Sequence, residues 1–341
     1  MNATIRFTGQ CQILTLTSLA TALFVGCSCS QDKTAVLIKE LPEQEILSGA
    51  MTGLLNERIG IYDIDKVGEC YLCTEKRTPM FYSLYDQDFN LITQFGVRGR
   101  SENEFLAPLY AGNADNAGEC LSFRIFDRAQ YRLDTWALDR TTGTVSKTGE
   151  MRVPTDKVFD MRILYAMPDN SFCGVSDDSE CRYFTASEGF DDIRFSNNIL
   201  RFNKINAHDI SQTCSTLSPD NKRVALGYYS FPLLEIRNVN GSILKSVWIS
   251  RKMRPEDIDL DAPEDYFMKT VASGDYIYAL YNDASSEEND DILVFDWDGH
   301  LQHRYRVSKA LSFCVDLEAG RIVLLNSDQG EGLCTIYGLP R

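Results

Sequence analysis

Histidine is scarce, with three in 341 residues, at 208, 300 and 303. A Ser-His-Asp triad, or a metal centre built from several imidazoles, is therefore poorly supplied. Neither a G-x-S-x-G elbow nor an H-E-x-x-H helix occurs in the chain. Basic charge is short too: 34 Lys and Arg stand against 49 Asp and Glu, a formal net charge of -15. A field of that sign repels nucleic acid, whose binding needs clustered cations. No apolar run reaches the ~20 residues of a membrane-spanning helix; the longest extends from about Cys11 to Val25. Helical periodicity is also hard to find.

Cysteine is plentiful, with 11 residues, but the pattern is not that of a metal site. Cys70-x-x-Cys73 lies in ECYLCTE, which reads as strand, where residues three apart point to opposite faces. There is no second CxxC to complete a zinc centre. Most other cysteines sit inside strand-like runs and act there as small hydrophobes. A Cys173–Cys181 bridge across a hairpin is open only in an oxidising compartment. The acidic stretch PEDIDLDAPED, 255–265, places Asp257, Asp259 and Asp261 at the spacing of an EF-hand loop. Ala262 replaces the glycine and Met268 the bidentate glutamate that such a loop requires, so an EF-hand is excluded. No cofactor is expected; calcium at this loop is the one ion left open.

The N-terminus carries Arg6 as its only charge before Asp32, then the short apolar stretch, then small residues. That order is the pattern of a secretory signal. Leu23-Phe24-Val25-Gly26-Cys27 resembles the lipobox of bacterial lipoproteins, with Phe24 where leucine is usual. The resemblance implies a signal peptide over 1–26, lipid on Cys27, a short tether over 27–33 and a folded part over 34–341. It also implies export across the inner membrane and a lipid anchor in the outer membrane, periplasmic or surface-facing. Cys29 is the poorer acceptor, because Gly26-Cys27-Ser28 before it lacks the apolar element.

What fills the remainder is a repeat. Runs rich in Val, Ile, Tyr and Phe alternate with hairpin signals: Asp88-Phe89-Asn90, Thr142-Gly143, Asn240-Gly241 and Asp298-Gly299. Around them the same order of four runs returns, as in YFMKTVAS, YIYALYN, DILVFDWDG and LQHRYRV over 266–306. Four successive antiparallel strands make one propeller blade. The six innermost strands are predicted near 57, 108, 160, 212, 266 and 312. The expectation is an all-β, six-bladed β-propeller of four-stranded blades. The last blade lacks an outer strand, so TAVLIKEL at 34–41 is expected to supply it and close the ring. The third blade is the least regular, since 187–206 is long and poorly patterned.

At FGVRGRSENEFLAP, residues 95–108, the chain resembles bacterial lipoproteins with a TolB-like six-bladed propeller, related to NHL-repeat propellers. Gly96, Gly99, Glu104, Phe105 and Pro108 match that family's link between blades; Arg100 and Asn103 depart from it. The resemblance implies that Phe105 plugs between adjacent blades and that Pro108 starts the next inner strand. These roles are structural, and no catalytic residue follows from them.

Propeller ligands sit over the axial mouth, on loops leading into the inner strands. Those loops carry Arg98 and Arg100, then Arg251, Lys252 and Arg254. The second and fifth inner strands of a six-bladed ring face each other. The candidate ligand-binding residues are therefore Arg98, Arg100, Arg251 and Arg254, aimed at an anionic glycan or a protein. The leading function is a noncatalytic binding or interaction propeller. The alternative is a metal-dependent hydrolase of the propeller lactonase type, for which Glu57, Asn113, Asp160 and Asp209 near inner-strand starts are the candidate ligands.

Overall fold

The computed structural model describes residues 34–340, except 53, 56–59, 113, 155–159, 179, 203–206, 283–285 and 328–333. Six small sheets follow one another along the chain, each an antiparallel meander. Their inner strands begin at Ile61, Pro108, Met161, Thr213, Phe267 and Ala310, close to the predicted positions. Blade one, for example, is Ile61–Val67, Cys70–Glu75, Met80–Tyr85 and Leu91–Arg98. Blade two has a broken inner strand: Pro108–Tyr110 and Asp115–Ala117 both pair with Cys120–Asp127. Blade three is the sparsest, ending on Ile193–Phe195.

The strands read as continuous apolar runs because both faces of each blade are covered. Buried side chains fall into six clusters, and each lies between consecutive blades. Cys70 and Leu72 pack toward Phe123 and Trp136 of blade two. Tyr71 and Cys73, one position along, pack toward Cys314 and Val323 of blade six. The CxxC cysteines therefore stand on opposite faces, as strand alternation requires. Both are free thiols, as are Cys173 and Cys181, so the hairpin bridge is not formed.

The link after blade one behaves as its sequence suggests. Glu104–Phe105 pairs in parallel with Leu91–Arg98, and Phe105 is fully buried. Its ring lies 6.1 Å from that of Tyr82 and 5.8 Å from Trp136 of the next blade. Gly96, at φ 78, brings its backbone against the Phe105 ring, and a Cβ there would meet it at 3.0 Å.

An N-terminal strand closes the ring, as expected, but it is not the strand at 34–41. The fourth strand of blade six is Gly49–Thr52, antiparallel to Cys334–Gly338. Ala35–Ile38 instead lies parallel to Ile243–Ile249, the outer strand of blade four. Glu45–Ile46 lies parallel to Leu301–Ser308 of blade five. The N-terminal segment thus runs along the rims of blades four and five before entering blade six. The pairing residue matters: Gly49 sits opposite Tyr337, and any Cβ on it would overlap the tyrosine ring. Any residue with a side chain at that point would have to displace the Tyr337 ring.

Candidate functional site: the axial mouth

A cavity of about 1210 Å³ occupies the propeller axis, lined chiefly by the inner strands. Four of those strands carry a bulge at their second residue, between Ile61 and Asp63, Met161 and Ile163, Phe267 and Lys269, and Ala310 and Ser312. A bulge leaves one residue without a ladder partner and re-aims its side chain. The four residues concerned, Tyr62, Arg162, Met268 and Leu311, all line the cavity. Blades three and six, and blades two and five, are opposed in a six-membered ring. Arginine therefore stands on one side of the mouth and apolar side chains on the other.

Arg128 is the second arginine on the basic side. It is held in place by Asp127, a fully buried carboxylate. Asp127 accepts the backbone N–H groups of Leu106 at 2.7 Å and Ala107 at 3.1 Å. Arg124, deeper in the same blade, donates to the Ala166 carbonyl at 3.2 Å. Arg162 lies 5.4 Å from the centre of the Tyr229 ring. One carboxylate serves this whole group: Asp177 Oδ2 is 3.7 Å from Arg128, and its Oδ1 is 3.6 Å from Arg162 and 3.2 Å from His208 Nε2. Of the charged residues lining the cavity, Lys66, Arg124, Arg128, Arg162 and Lys269 outnumber Asp63, Asp65 and Asp115. Asp316, 3.0 Å from Lys66, and Asp177 stand behind the lining and offset part of that excess.

The acidic pair of blade one, Asp63 and Asp65, is already engaged. Lys269 Nζ of blade five donates to Asp63 at 2.6 Å and Asp65 at 2.9 Å in blade one. It also donates to the Ile64 carbonyl at 2.8 Å and to Ser312 of blade six at 3.0 Å. Burial works to raise Asp63, but Lys269 overcomes it and holds that carboxyl below its usual range. Burial, with Asp63 as a second negative neighbour, raises Asp65 to about 6 against the pull of Lys269. Burial alone would lower the lysine; the two carboxylates keep it raised and charged.

None of the four arginines expected at the site lines the cavity. Arg98 lies 3.6 Å from the centre of the Phe81 ring and donates to the backbone oxygens of Thr78, at 2.9 Å, and Glu75. Arg100 is exposed in the link. Arg251 pairs with Glu264 at 3.5 Å, and Arg254 caps the short turn Pro255–Asp257 through Asp257. The acidic loop that drew the calcium reading is thus tied to its own arginines. Of the alternative metal set, Asp160 accepts the Tyr131 hydroxyl, and Asp209 lies 3.3 Å from His208 Nδ1. Glu57, Asn113 and Cys27 lie outside the described residues. Sequence reasoning missed Arg124, Arg128 and Arg162. For Arg162 the available signal was the second position of its inner strand, where four of the six inner strands are bulged; Arg124 and Arg128, in and just after the second strand of blade two, carried no such signal.

Fold and mouth together define the class: a six-bladed β-propeller with an axial cavity that carries arginines on one side. Similar solved structures include a Bacteroides fragilis protein described, provisionally, as exported. It is 13% identical, the match covers 90% of this chain and 99% of that one, and the TM-score is 0.53. A member of the DUF4221 family from Bacteroides vulgatus is 8% identical, over 87% of this chain and 97% of that one, with a TM-score of 0.54. At these identities the likeness is one of fold. No family model matches the sequence, and no curated protein does.

Proposed function

We propose that the chain is an exported, envelope-anchored, noncatalytic propeller that binds an anionic glycan over its axial mouth. The carrying observation is the cluster of Arg128 and Arg162, which among the described residues share the single carboxylate of Asp177 at 3.7 and 3.6 Å. Guanidinium groups left with so little local compensation recognise carboxylate and sulfate in bidentate fashion. Tyr62 and Tyr229 supply flat surfaces for sugar rings, and Met268 and Leu311 supply apolar ones. Export is supported by the signal pattern and by the provisional description of the Bacteroides fragilis neighbour. Anchoring rests on Cys27 in its lipobox-like context, and kinship with TolB-like lipoproteins on the 95–108 link. Of the hydrolase alternative's candidate ligands, the described pair Asp160 and Asp209 are engaged elsewhere, one by the Tyr131 hydroxyl and the other by His208.

Calorimetric titration with polygalacturonate and chondroitin sulfate tests the reading. Arg128→Ala and Arg162→Ala should each weaken binding about 10–100-fold, the worth of a charge-assisted hydrogen bond. Binding should also fall as salt rises. Equal affinity in parent and variants, or no binding of either polymer, refutes it.

A further inference from the structure

Three metal-binding side chains converge beside the two arginines. Asp177 and Cys181 come from the loop between Phe172–Ser176 and Tyr183–Ala186 of blade three. His208 comes from the one-turn helix Ala207–Ile210 that precedes blade four. Their donor atoms all lie within 4.8 Å of one another. We propose that Asp177, Cys181 and His208 are the protein ligands of a zinc ion at the rim of the mouth. The fourth position is left to the anionic group of the bound glycan. The three-ligand site stands independently; the fourth ligand rests on the anionic-glycan reading.

Two independent distances fit this assignment. Zinc bonds of ~2.0–2.1 Å to nitrogen and oxygen, at a tetrahedral angle, place those atoms about 3.3 Å apart. His208 Nε2 and Asp177 Oδ1 are 3.2 Å apart. The other ring nitrogen, Nδ1, lies 3.3 Å from Asp209 Oδ1. A ligating histidine is oriented in this way, with its second nitrogen on a carboxylate that fixes the tautomer and raises basicity. Cys181 is buried, and its Sγ lies 3.8 Å from the His208 carbonyl. Sulfur and nitrogen on one zinc stand roughly 3.5 Å apart, from bonds of ~2.3 and ~2.0 Å; the Cys181 sulfur lies within 4.8 Å of both other donor atoms, so a side-chain shift on the order of 1 Å closes the set.

The donor chemistry selects the metal. One thiolate, one imidazole and one carboxylate suit zinc, whereas calcium and magnesium take oxygen shells. Loading displaces the thiol proton. Arg128 and Arg162 stand at Asp177 itself and weaken the hold on a bare cation. The same two cations favour an anion as fourth ligand, because a carboxylate or sulfate oxygen on the metal lies in their reach. Asp209 acts through His208 and is a positioning residue.

The test uses the mature protein, stripped with chelator and dialysed against zinc or cobalt alone. One equivalent of zinc should be retained, and the cobalt form should show a thiolate charge-transfer band. Cys181→Ser and His208→Ala, checked for folding by circular dichroism, should drop metal content to background and abolish the band. Asp209→Asn should keep the stoichiometry and weaken affinity about 10–100-fold. Retention below about a tenth of an equivalent, or unchanged binding in the Cys181 and His208 variants, overturns the site. Polygalacturonate binding is measured separately on stripped and loaded protein. A protein that takes metal but no glycan sinks only the glycan reading; one that takes glycan but no metal sinks only the zinc site. Glycan affinity equal in the two forms overturns the fourth-ligand assignment.

Discussion

Lys269→Met removes the cation from a cluster that joins three blades across the closing seam. The ammonium is held by two carboxylates, a carbonyl and a hydroxyl, and methionine of similar length leaves both carboxylates without compensation. Removing one partner of a buried pair costs about 3–5 kcal/mol. The lower end applies here, because Lys269 and Asp65 side chains are 16% and 17% exposed but Asp63 is 32% exposed to the channel. About 3 kcal/mol corresponds to a melting-point loss of about 4–6 °C in a chain of this size. The loss should depend on pH. Without the lysine, both carboxyls face burial and each other, and their folded pKa values rise above the unfolded 3.8. A group raised in this way stabilises fully below its unfolded pKa and loses that contribution as pH rises through the folded one. In the parent only Asp65, at about 6, behaves so; Asp63 is held low and acts in the opposite sense below pH 4. The variant's deficit by differential scanning calorimetry should therefore be larger at pH 8 than at pH 5. Adding Asp63→Asn and Asp65→Asn should recover part of it. A variant melting within about 2 °C of the parent at pH 8, or a deficit equal at both pH values, refutes this account of the seam.

Phe105→Ala should cost about 3–5 kcal/mol in chemical denaturation, because the ring is buried against Phe81, Tyr82 and Trp136; an effect below about 1 kcal/mol would deny it the role of interblade plug. Gly49→Val should destabilise strongly by forcing Tyr337 off the closing strand, and aggregation by light scattering is the expected readout, since it bares the edge of Cys334–Gly338. Truncation through Ile38 should instead leave the ring closed and lower the melting point modestly, because it removes only a parallel rim strand from blade four; equal loss in both would contradict the closure seen here. Cys27→Ala should shift the protein from the membrane to the soluble fraction after cell lysis, while Cys29→Ala should not; firm membrane binding of the Cys27 variant would end the lipobox assignment.

Blade number and inner-strand positions were legible because every blade repeats the same physical problem. A strand covered on both faces must be apolar throughout, and its hairpins need residues that tolerate positive φ. Gly241 at 94° and Gly299 at 81° meet that need. The Phe105 link was legible for the same reason, since a glycine and an aromatic at fixed spacing describe a close contact. The closing strand was not. TAVLIKEL carries the better strand pattern, yet the seam selects Gly49–Thr52 through one glycine opposite one tyrosine, a contact between residues far apart in sequence. The site was illegible for another reason. Arg98 and Arg251 sit in the loops expected to form the mouth, but each finds nearer partners, a ring and backbone carbonyls for one, Glu264 and Tyr266 for the other. Arg162 reaches the axis because a bulge turns it there, and alternation alone assigns no side chain to an axis.

The pairing of Gly49–Thr52 with Cys334–Gly338 also sets a clock. Thr52 and Cys334, which share a hydrogen bond, are 282 residues apart, so the chain emerges from the ribosome with its ring-completing strand already made and nothing for it to bind. Contacts of such separation form late, since loop closure must be met before they reward the chain. Blades one to five can assemble locally, but the circle stays open until the final strand arrives. The early chain therefore stays open and threadable, and the finished ring, which no narrow passage would admit, exists only once the far end of the chain is made.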